Sequence, residues 1–182
     1  MINVGIIGAG IMGAGHARFI SKHIPEARVV ALSDLDLNKT SDLASEIGSV
    51  LFSTADPEEL MNDPRVDAVI IASPDSLHVP HLKLAISSGK QILCEKPIAT
   101  SLEEARLIAE EIRTYQKNVG KKMINFGFMR RFDPSYQEVR RLIRSGDFGS
   151  PTFFRTVTRN VFSTGITSTG LFTNIAIHDF DV

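Results

Sequence analysis

The stretch Ile2–Gly13, INVGIIGAGIMG, decides the fold of this chain. Its first half has the pattern of a buried strand, and a glycine-rich loop separates that strand from an amphipathic run over about residues 11–23. The same alternation continues along the chain, where short apolar runs such as AVIIA at 68–72 are followed by longer amphipathic ones. Strands that alternate with helices are typical of βαβ units around a parallel sheet. The sequence therefore predicts an α/β fold whose first domain, residues 1–125, is a doubly wound parallel sheet.

The rest of the pattern places the other elements and a second domain at residues 126–182. The predicted strands lie at 2–7, 28–33, 50–52, 68–72, 91–94 and 123–126, and the predicted helices at 11–23, 37–47, 78–88, 101–118 and 134–144, with a short one opening at Asp56-Pro57. Residues 152–159 (TFFRTVTR) alternate with period 2, which predicts one more strand, and 174–182 has the pattern of the opening turns of a helix. We therefore expect the incomplete start of a second α/β domain.

The composition is that of an ordinary globular protein and excludes several classes. The 182 residues are 43% hydrophobic and 23% charged, and the formal net charge of −1 provides no basic field to hold nucleic acid. A single cysteine, Cys94, excludes an intrachain disulfide framework and a cysteine-rich zinc module. The N-terminus has no basic leader segment, and no apolar run is long enough for a membrane span. We expect a soluble, cytoplasmic protein with no metal, nucleic acid or membrane partner.

The loop Gly8-Ala9-Gly10-Ile11-Met12-Gly13 has the G-x-G-x-x-G spacing of a dinucleotide site. The glycines permit a tight turn, a close approach of a pyrophosphate to the backbone, and close packing of helix on strand. Asp34, at the end of the second strand, is placed to accept hydrogen bonds from ribose hydroxyls and to repel a 2′-phosphate. This predicts a Rossmann domain that binds NAD rather than NADP. The alternatives are a glycine-rich turn without a ligand, and an Asp34 that caps a helix.

Further candidates follow other strands, at the edge where the ligands of open α/β sheets bind. Ser73-Pro74 and Glu95-Lys96 leave two buried strands, and His78 stands in the first turn of a predicted helix. The Lys96 ammonium can hydrogen-bond a substrate hydroxyl and stabilise a developing alkoxide; the alternative is a solvated pair with Glu95. His78 is equally well explained as a cofactor contact or as part of the helical turn.

Other basic residues are more ambiguous. Arg130 and Arg131 offer donors to a polyhydroxy or carboxylate ligand, or an ion pair to Asp133. His178 can remove a hydroxyl proton, and Asn174 shares its face if the segment is helical. Surface or packing roles are expected for the remaining histidines, which are His16, His23 and His81.

Taken together, these segments resemble the Gfo/Idh/MocA family, named after glucose–fructose oxidoreductase, inositol dehydrogenase and MocA. The resemblance covers the whole chain and rests on GIIGAGIMGAGH (5–16), ALSDLD (31–36), DAVIIASPDSLH (67–78), ILCEKPIA (92–99), FGFMRRFDPSY (126–136), SGDFGSP (145–151) and IHDFDV (177–182). The order of EKP followed by GFMRRFD is specific. The MRRFD stretch is most similar to inositol 2-dehydrogenases and related sugar dehydrogenases.

The resemblance implies a Rossmann domain followed by an α/β domain with a large open sheet, through which the full-length protein forms a homo-oligomer. By similarity, the cofactor-binding residues are Gly8, Gly10, Ile11, Met12, Gly13, Asp34, Ser73, Pro74, His78, Glu95 and Lys96. Substrate would be bound by Lys96, Arg130, Asn174 and His178, of which Lys96, Asn174 and His178 would be catalytic. Pro97 would follow a cis peptide bond.

Two features depart from the family. Asn174 stands where inositol dehydrogenases usually have Asp, and an amide does not stabilise an imidazolium as a carboxylate does. The chain is also shorter than family members, and most of the second sheet is missing. Sequence alone does not distinguish a fragment of a longer enzyme from a truncated gene product.

The leading expectation is NAD-dependent oxidation of a secondary hydroxyl of a cyclitol or sugar, as in an inositol 2-dehydrogenase. Hydride would pass to the nicotinamide, His178 would take the proton, and Lys96 would hold and polarise the oxygen. The alternative is a non-catalytic NAD-binding module or regulatory relative without a complete substrate site, which Asn174 and the missing sheet favour. The particular substrate and the direction of the reaction remain open.

Overall fold

The chain forms two compact units, Met1–Gly127 and Phe128–Val182, in a computed structural model that describes residues 1–158 and 176–181. The strands of the first unit are β1 (Ile2–Ile7), β2 (Ala27–Ser33), β3 (Phe52–Thr54), β4 (Ala68–Ile71), β5 (Gln91–Cys94) and β6 (Ile124–Phe126). Its helices are α1 (Ile11–His23), α2 (Leu37–Ile47), α3 (Pro57–Asn62), α4 (His78–Ser88) and α5 (Leu102–Val119), with a short 3₁₀ helix at Asp75–Leu77.

A six-stranded sheet with the order β3-β2-β1-β4-β5-β6 organises the first unit. All of its neighbouring strands are parallel. At the carboxyl end of β1, Ile7 is in register with Ser33 of β2 on one side and with Ile71 of β4 on the other. The chain therefore reverses its winding direction between β1 and β4, which is where open α/β sheets bind ligands. This confirms the predicted α/β Rossmann sheet.

The sheet is buried on both faces. Val69 and Ile71 of β4 pack into the core on one face, with α3, α4 and α5, whereas Ile70 packs into the core on the other face, with α1 and α2. All three side chains are at most 7% exposed. An uninterrupted apolar run is what a strand covered on both faces requires.

Local capping residues set most helix boundaries of the first unit. Asp36 and Asp56 accept hydrogen bonds from the first-turn amides of α2 and α3, and Ser101 does the same for α5. At the spacing of a capping box, Ser101 Oγ accepts a hydrogen bond from Glu104 N at 3.2 Å and donates one to Glu104 Oε2 at 3.0 Å. Left-handed glycines end three helices of the first unit: Gly48, Gly89 and Gly120.

Two strand predictions are corrected. The predicted strand at 50–52 is wrong by two residues, because β3 runs over Phe52–Thr54, where it pairs with Ala31–Ser33 of β2. The strand predicted at 152–159 is not present over residues 151–158, where the chain has no regular secondary structure. A strand is defined by the ladder to a partner, and period 2 alone does not supply one. Residue 159 lies outside the described residues.

The second unit contains α6 (Pro134–Ser145) and α7 (Ile177–Phe180), and a short 3₁₀ helix at Met129–Phe132. Asp133 caps α6 by accepting hydrogen bonds from Ser135 N and Tyr136 N. None of the helices within 1–158 and 176–181 is long and apolar enough to cross a membrane.

Candidate functional site

The glycine loop connects β1 to α1. Two of its glycines lie against neighbouring main chain, and one borders open space. Gly8 has a φ of 97°, and a Cβ there would lie 2.5 Å from Ala72 O. A Cβ at Gly13 would lie 1.8 Å from Gly8 O, so the helix touches the loop directly. A Cβ at Gly10 would meet nothing within 4 Å. The first and third glycines are thus required by packing, whereas the second borders open space.

The first turn of α1 presents donors to that open space. Gly10 is the N-cap, it makes no side-chain cap, and the first turn contains no acidic residue. Ile11 is 93% exposed and Met12 is 52% exposed, so the turn is not covered by the described part of the chain. The first amides of a helix have no partner within the helix and lie at the positive end of its dipole. This arrangement suits a pyrophosphate.

Asp34 extends from the end of β2 onto the glycine loop. Its Oδ2 accepts a hydrogen bond from Ala9 N at 2.8 Å, and its Oδ1 accepts one from Asp36 N at 2.9 Å. The cap of α2 is Asp36 rather than Asp34, so the helix-capping alternative for Asp34 is wrong. Each carboxylate oxygen can accept one more hydrogen bond, which leaves capacity for ribose hydroxyls.

A cavity of about 610 Å³ connects the glycine loop with the ends of β2 and β4. It is lined by Ile7, Gly8, Gly10, Ile11, Met12, Ser33, Asp34, Leu35, Lys39, Ala55, Pro57, Ala72, Ser73, Pro74, Leu77 and His81. Seven of the predicted cofactor residues therefore share one concave surface: Gly8, Gly10, Ile11, Met12, Asp34, Ser73 and Pro74. The mixture of apolar walls and a few directed polar groups is typical of a cofactor site.

At the end of β4, two histidines of α4 contact Ser73, one at its main-chain carbonyl and one at its hydroxyl. His78 is 1% exposed, and its ring nitrogens lie 2.6 Å from Pro97 O and 3.0 Å from Ser73 O. His81 Nδ1 lies 2.9 Å from Ser73 Oγ. Burial, together with the neighbouring His78, lowers the pKa of His81, so His81 is neutral near pH 7. Both ring nitrogens of His78 are thus engaged by main-chain carbonyls.

At the end of β5, Glu95 adjoins α1 and the end of β6. Glu95 is 8% exposed, and its Oε1 lies 2.8 Å from His16 Nε2. Burial by itself raises the pKa of Glu95, but hydrogen bonds and charge from His16 and Lys96 outweigh it and hold the pKa below its ordinary value. The Glu95 carboxylate is therefore a buried anion paired with His16, rather than one half of a solvated surface pair.

Two further features belong to the end of β5. A Cβ at Gly127 would lie 3.0 Å from the Glu95 carboxylate, so a side chain at that position would crowd it. Lys96 is partly buried, and the Lys96-Pro97 peptide bond is cis, as expected.

In the second unit, Arg130 is held by acidic and hydroxyl groups. Its guanidinium forms an ion pair with Asp179, donates to Thr158 Oγ1 at 3.1 Å and lies 5.3 Å from the centre of the Tyr136 ring. Burial raises the pKa of Asp179, but hydrogen bonds from Thr158, Arg130 and Thr156 outweigh it, and the pKa lies below its ordinary value. The alternative partner Asp133 is wrong for both arginines, since it caps α6 and Arg131 pairs with Asp181.

His178 is the buried residue of α7. It is 8% exposed, and its ring meets the ring of Phe128 edge-on with 6.5 Å between centroids. Asn174, which is predicted to share a face with His178, lies outside the described residues.

Comparison with known proteins agrees with this geometry. Residues 2–122 match the Gfo/Idh/MocA family, described as an oxidoreductase family with an NAD-binding Rossmann fold. The chain belongs to the Gfo/Idh/MocA family. The match contains the whole glycine loop, Asp34 and the ends of β4 and β5.

Several of the similar relatives and solved structures are described as inositol dehydrogenases. Inositol 2-dehydrogenase 1 of Saccharopolyspora erythraea is 38% identical over 100% of this chain and 53% of its own length, and the inositol 2-dehydrogenase of Rubrobacter xylanophilus is 39% identical over 99% and 50%. The Lactobacillus casei myo-inositol dehydrogenase in complex with NAD(H) and myo-inositol aligns with a TM-score of 0.77 and 32% identity over 83% of this chain and 43% of that one. The chain spans about half the length of the curated relatives it matches.

Sequence analysis missed the roles of His16 and His81 in this family member. Both were expected to have surface or packing roles, yet His16 binds Glu95 and His81 binds Ser73. The usable signal is spacing: His16 follows Gly13 by one helical turn, and His81 follows His78 by one turn, so each lies on the helix face that bears a site residue.

Proposed function

We propose that the protein oxidises a secondary hydroxyl group of a cyclitol or sugar with NAD⁺ as the hydride acceptor. The observation that carries the proposal is the carboxylate of Asp34, which lies against the glycine loop at the wall of the 610 Å³ cavity. Support for the substrate class comes from the inositol dehydrogenases among its relatives.

The residues at the loop fit NAD. Gly10 leaves room for a pyrophosphate over the first amides of α1, and no side chain of the first turn caps them. Asp34 would accept the ribose hydroxyls and repel a 2′-phosphate, which favours NAD over NADP. Ile11 and Met12 would flank the phosphates, and Ser73 and Pro74 would line the nicotinamide end of the cavity, with Glu95 beside them.

The proposed chemistry assigns separate tasks to the site residues. Bound NAD⁺ supplies the hydride acceptor. Lys96 donates a hydrogen bond to the substrate oxygen and stabilises its developing negative charge, and His178 accepts the hydroxyl proton. Asn174 would hydrogen-bond the substrate or the imidazole. Arg130 would orient a substrate hydroxyl with the donors that Asp179 and Thr158 do not use.

Residues 126–182 are proposed to begin the domain that binds substrate and forms the homo-oligomer of the full-length protein. The basis is the Gfo/Idh/MocA resemblance of this segment and the ion pairs that join Arg130 and Arg131 to α7 and its end.

The test is reduction of NAD⁺, followed at 340 nm, with a panel of inositols and aldoses, and with NADH binding measured in parallel. Lys96→Ala is expected to abolish turnover and to retain NADH binding, whereas the exposed control Lys121→Ala is expected to change neither. Binding without turnover in the wild-type chain would favour the non-catalytic NAD-binding module. A chain that binds no NADH would overturn the proposal.

A further inference from the structure

The main-chain ladder between β4 and β5 ends just before the candidate site. Its last register pair is Ile71 with Cys94, and Glu95 N donates to Ile71 O at 2.8 Å. Beyond this point the segment after β4 turns through Ser73-Pro74 into a 3₁₀ helix, and the segment after β5 continues through Lys96-Pro97. Two loops that carry proposed site residues thus leave adjacent strands.

His78 stands between these two loops. Its Nδ1 lies 2.6 Å from Pro97 O, its Nε2 lies 3.0 Å from Ser73 O, and the residue is 1% exposed. Buried carbonyl groups need donors, because water does not reach them. The opposite edges of one imidazole ring place a nitrogen within hydrogen-bond distance of a carbonyl oxygen of each loop.

We propose that His78 is a positioning residue that ties the loop after β4 to the loop after β5. Through Pro97 it fixes the main chain next to Lys96, and through Ser73 it fixes the rim of the cavity that Ser73 and Pro74 line. The two contacts of His78 are a property of the folded chain, and their importance for hydride transfer rests on the proposed function. His78 then acts on the cofactor site through the main chain rather than by contact with NAD.

The two contacts of the His78 ring, called here the Pro97 arm and the Ser73 arm, can be separated by substitution. An Asn side chain places its amide nitrogen near the position of Nδ1, so His78→Asn keeps the Pro97 arm and loses the Ser73 arm. A Gln side chain reaches the position of Nε2, so His78→Gln keeps the Ser73 arm and loses the Pro97 arm. His78→Leu loses both. His23→Leu, at an exposed histidine of α1, is the matched control.

The experiment is amide hydrogen exchange measured by mass spectrometry on the wild-type chain and these variants. His78→Leu is expected to raise exchange about fivefold in residues 73–77 and in residues 95–99, which is the protection that one net hydrogen bond supplies. His78→Asn raises it only in 73–77 and His78→Gln only in 95–99. Residues of α5 and the His23→Leu variant stay unchanged.

A purely structural role for His78 would raise exchange throughout the first unit and would not divide between the Asn and Gln variants. That result would overturn the proposal, as would a His78→Leu variant in which only one loop, or neither, is released. NADH affinity gives the functional readout: it is expected to fall about fivefold in His78→Asn, which frees the cavity rim, and to stay unchanged in His78→Gln. If the wild-type chain binds no NADH, the proposed function fails, and the exchange data still decide whether His78 ties the loops.

Discussion

Replacing Gly13 with alanine tests whether α1 must touch the glycine loop. The new Cβ would lie 1.8 Å from Gly8 O, whereas ordinary van der Waals contact begins at 3.4 Å. The obstacle is main chain, so no side chain can rotate away, and helix and strand must separate. Overpacking of this kind costs about 3 kcal/mol, and the higher helix propensity of alanine returns about 1 kcal/mol. We expect a net loss of about 2 kcal/mol in the free energy of unfolding.

Gly15 provides the matched control on the same helix. It is exposed, and a Cβ there would meet nothing within 4 Å. Gly15→Ala is therefore expected to raise the free energy of unfolding by up to about 1 kcal/mol. Urea unfolding followed by far-UV circular dichroism measures both variants, and a loss of 2 kcal/mol lowers the midpoint by about 1 M at a slope of about 2 kcal/mol/M. Equal stability of Gly13→Ala and Gly15→Ala would refute the close contact.

Gly10→Ala completes the series because it separates folding from binding. Gly10 has a φ of −72°, which alanine adopts freely, and its Cβ would project into open space. Its free energy of unfolding should equal that of the wild-type chain. NADH affinity should fall about tenfold or more, that is by at least about 1.4 kcal/mol, because the methyl group occupies the approach of the pyrophosphate. Wild-type NADH affinity in this variant would show that the phosphates do not pass over Gly10.

Three further predictions concern titratable groups. The pKa of Glu95 is held below its ordinary value, so its carboxylate stabilises the fold above pH 4.5, and this contribution is lost as the pH falls below that value. In His16→Ala, the free energy of unfolding should therefore decrease less between pH 5 and pH 3 than it does in the wild-type chain. Burial, helped by Glu95, raises the pKa of the Cys94 thiol, so Cys94 should react with a thiol reagent at pH 8 only after unfolding in urea. Hydrogen bonds from Arg65 lower the pKa of Asp63 to about 2, and NMR titration of Arg65→Ala should show it return towards 3.8.

Local signals explain why most of the first unit was predictable. The caps Asp36, Asp56 and Ser101 and the apolar run of β4 lie within a few residues of the elements they define. The β3 strand was misplaced because its bounds depend on where β2 offers main-chain partners, and that position is not encoded in residues 50–54. The same reasoning explains residues 152–158. Two alternate residues of this segment, Thr156 and Thr158, do share one side, since both donate to Asp179. Alternation of residue types, however, does not provide the neighbouring strand that a ladder needs.

The candidate site was predictable where one segment carries the whole signal. The glycine loop and Asp34 follow from spacing alone, because the loop, the helix it opens and the next strand end are close in the sequence. Contacts that join distant segments gave no such signal: His16 and Glu95 are 79 residues apart, and His78 and Pro97 are 19 apart. Such pairs become visible only when the order of the strands brings β1, β4 and β5 side by side.

These distant contacts share one chemical feature that explains the use of histidine at this edge of the sheet. The main-chain ladder has to stop there, since the loops must separate to leave a cavity, yet the separated loops still need fixed positions. A serine is too short to span two loops. An imidazole spans the distance with a polar atom at each edge. His78 uses this property at Ser73 and Pro97, whereas His16 and His81 each bring one ring nitrogen to Glu95 and to Ser73, so side chains continue the connections that the strands can no longer make.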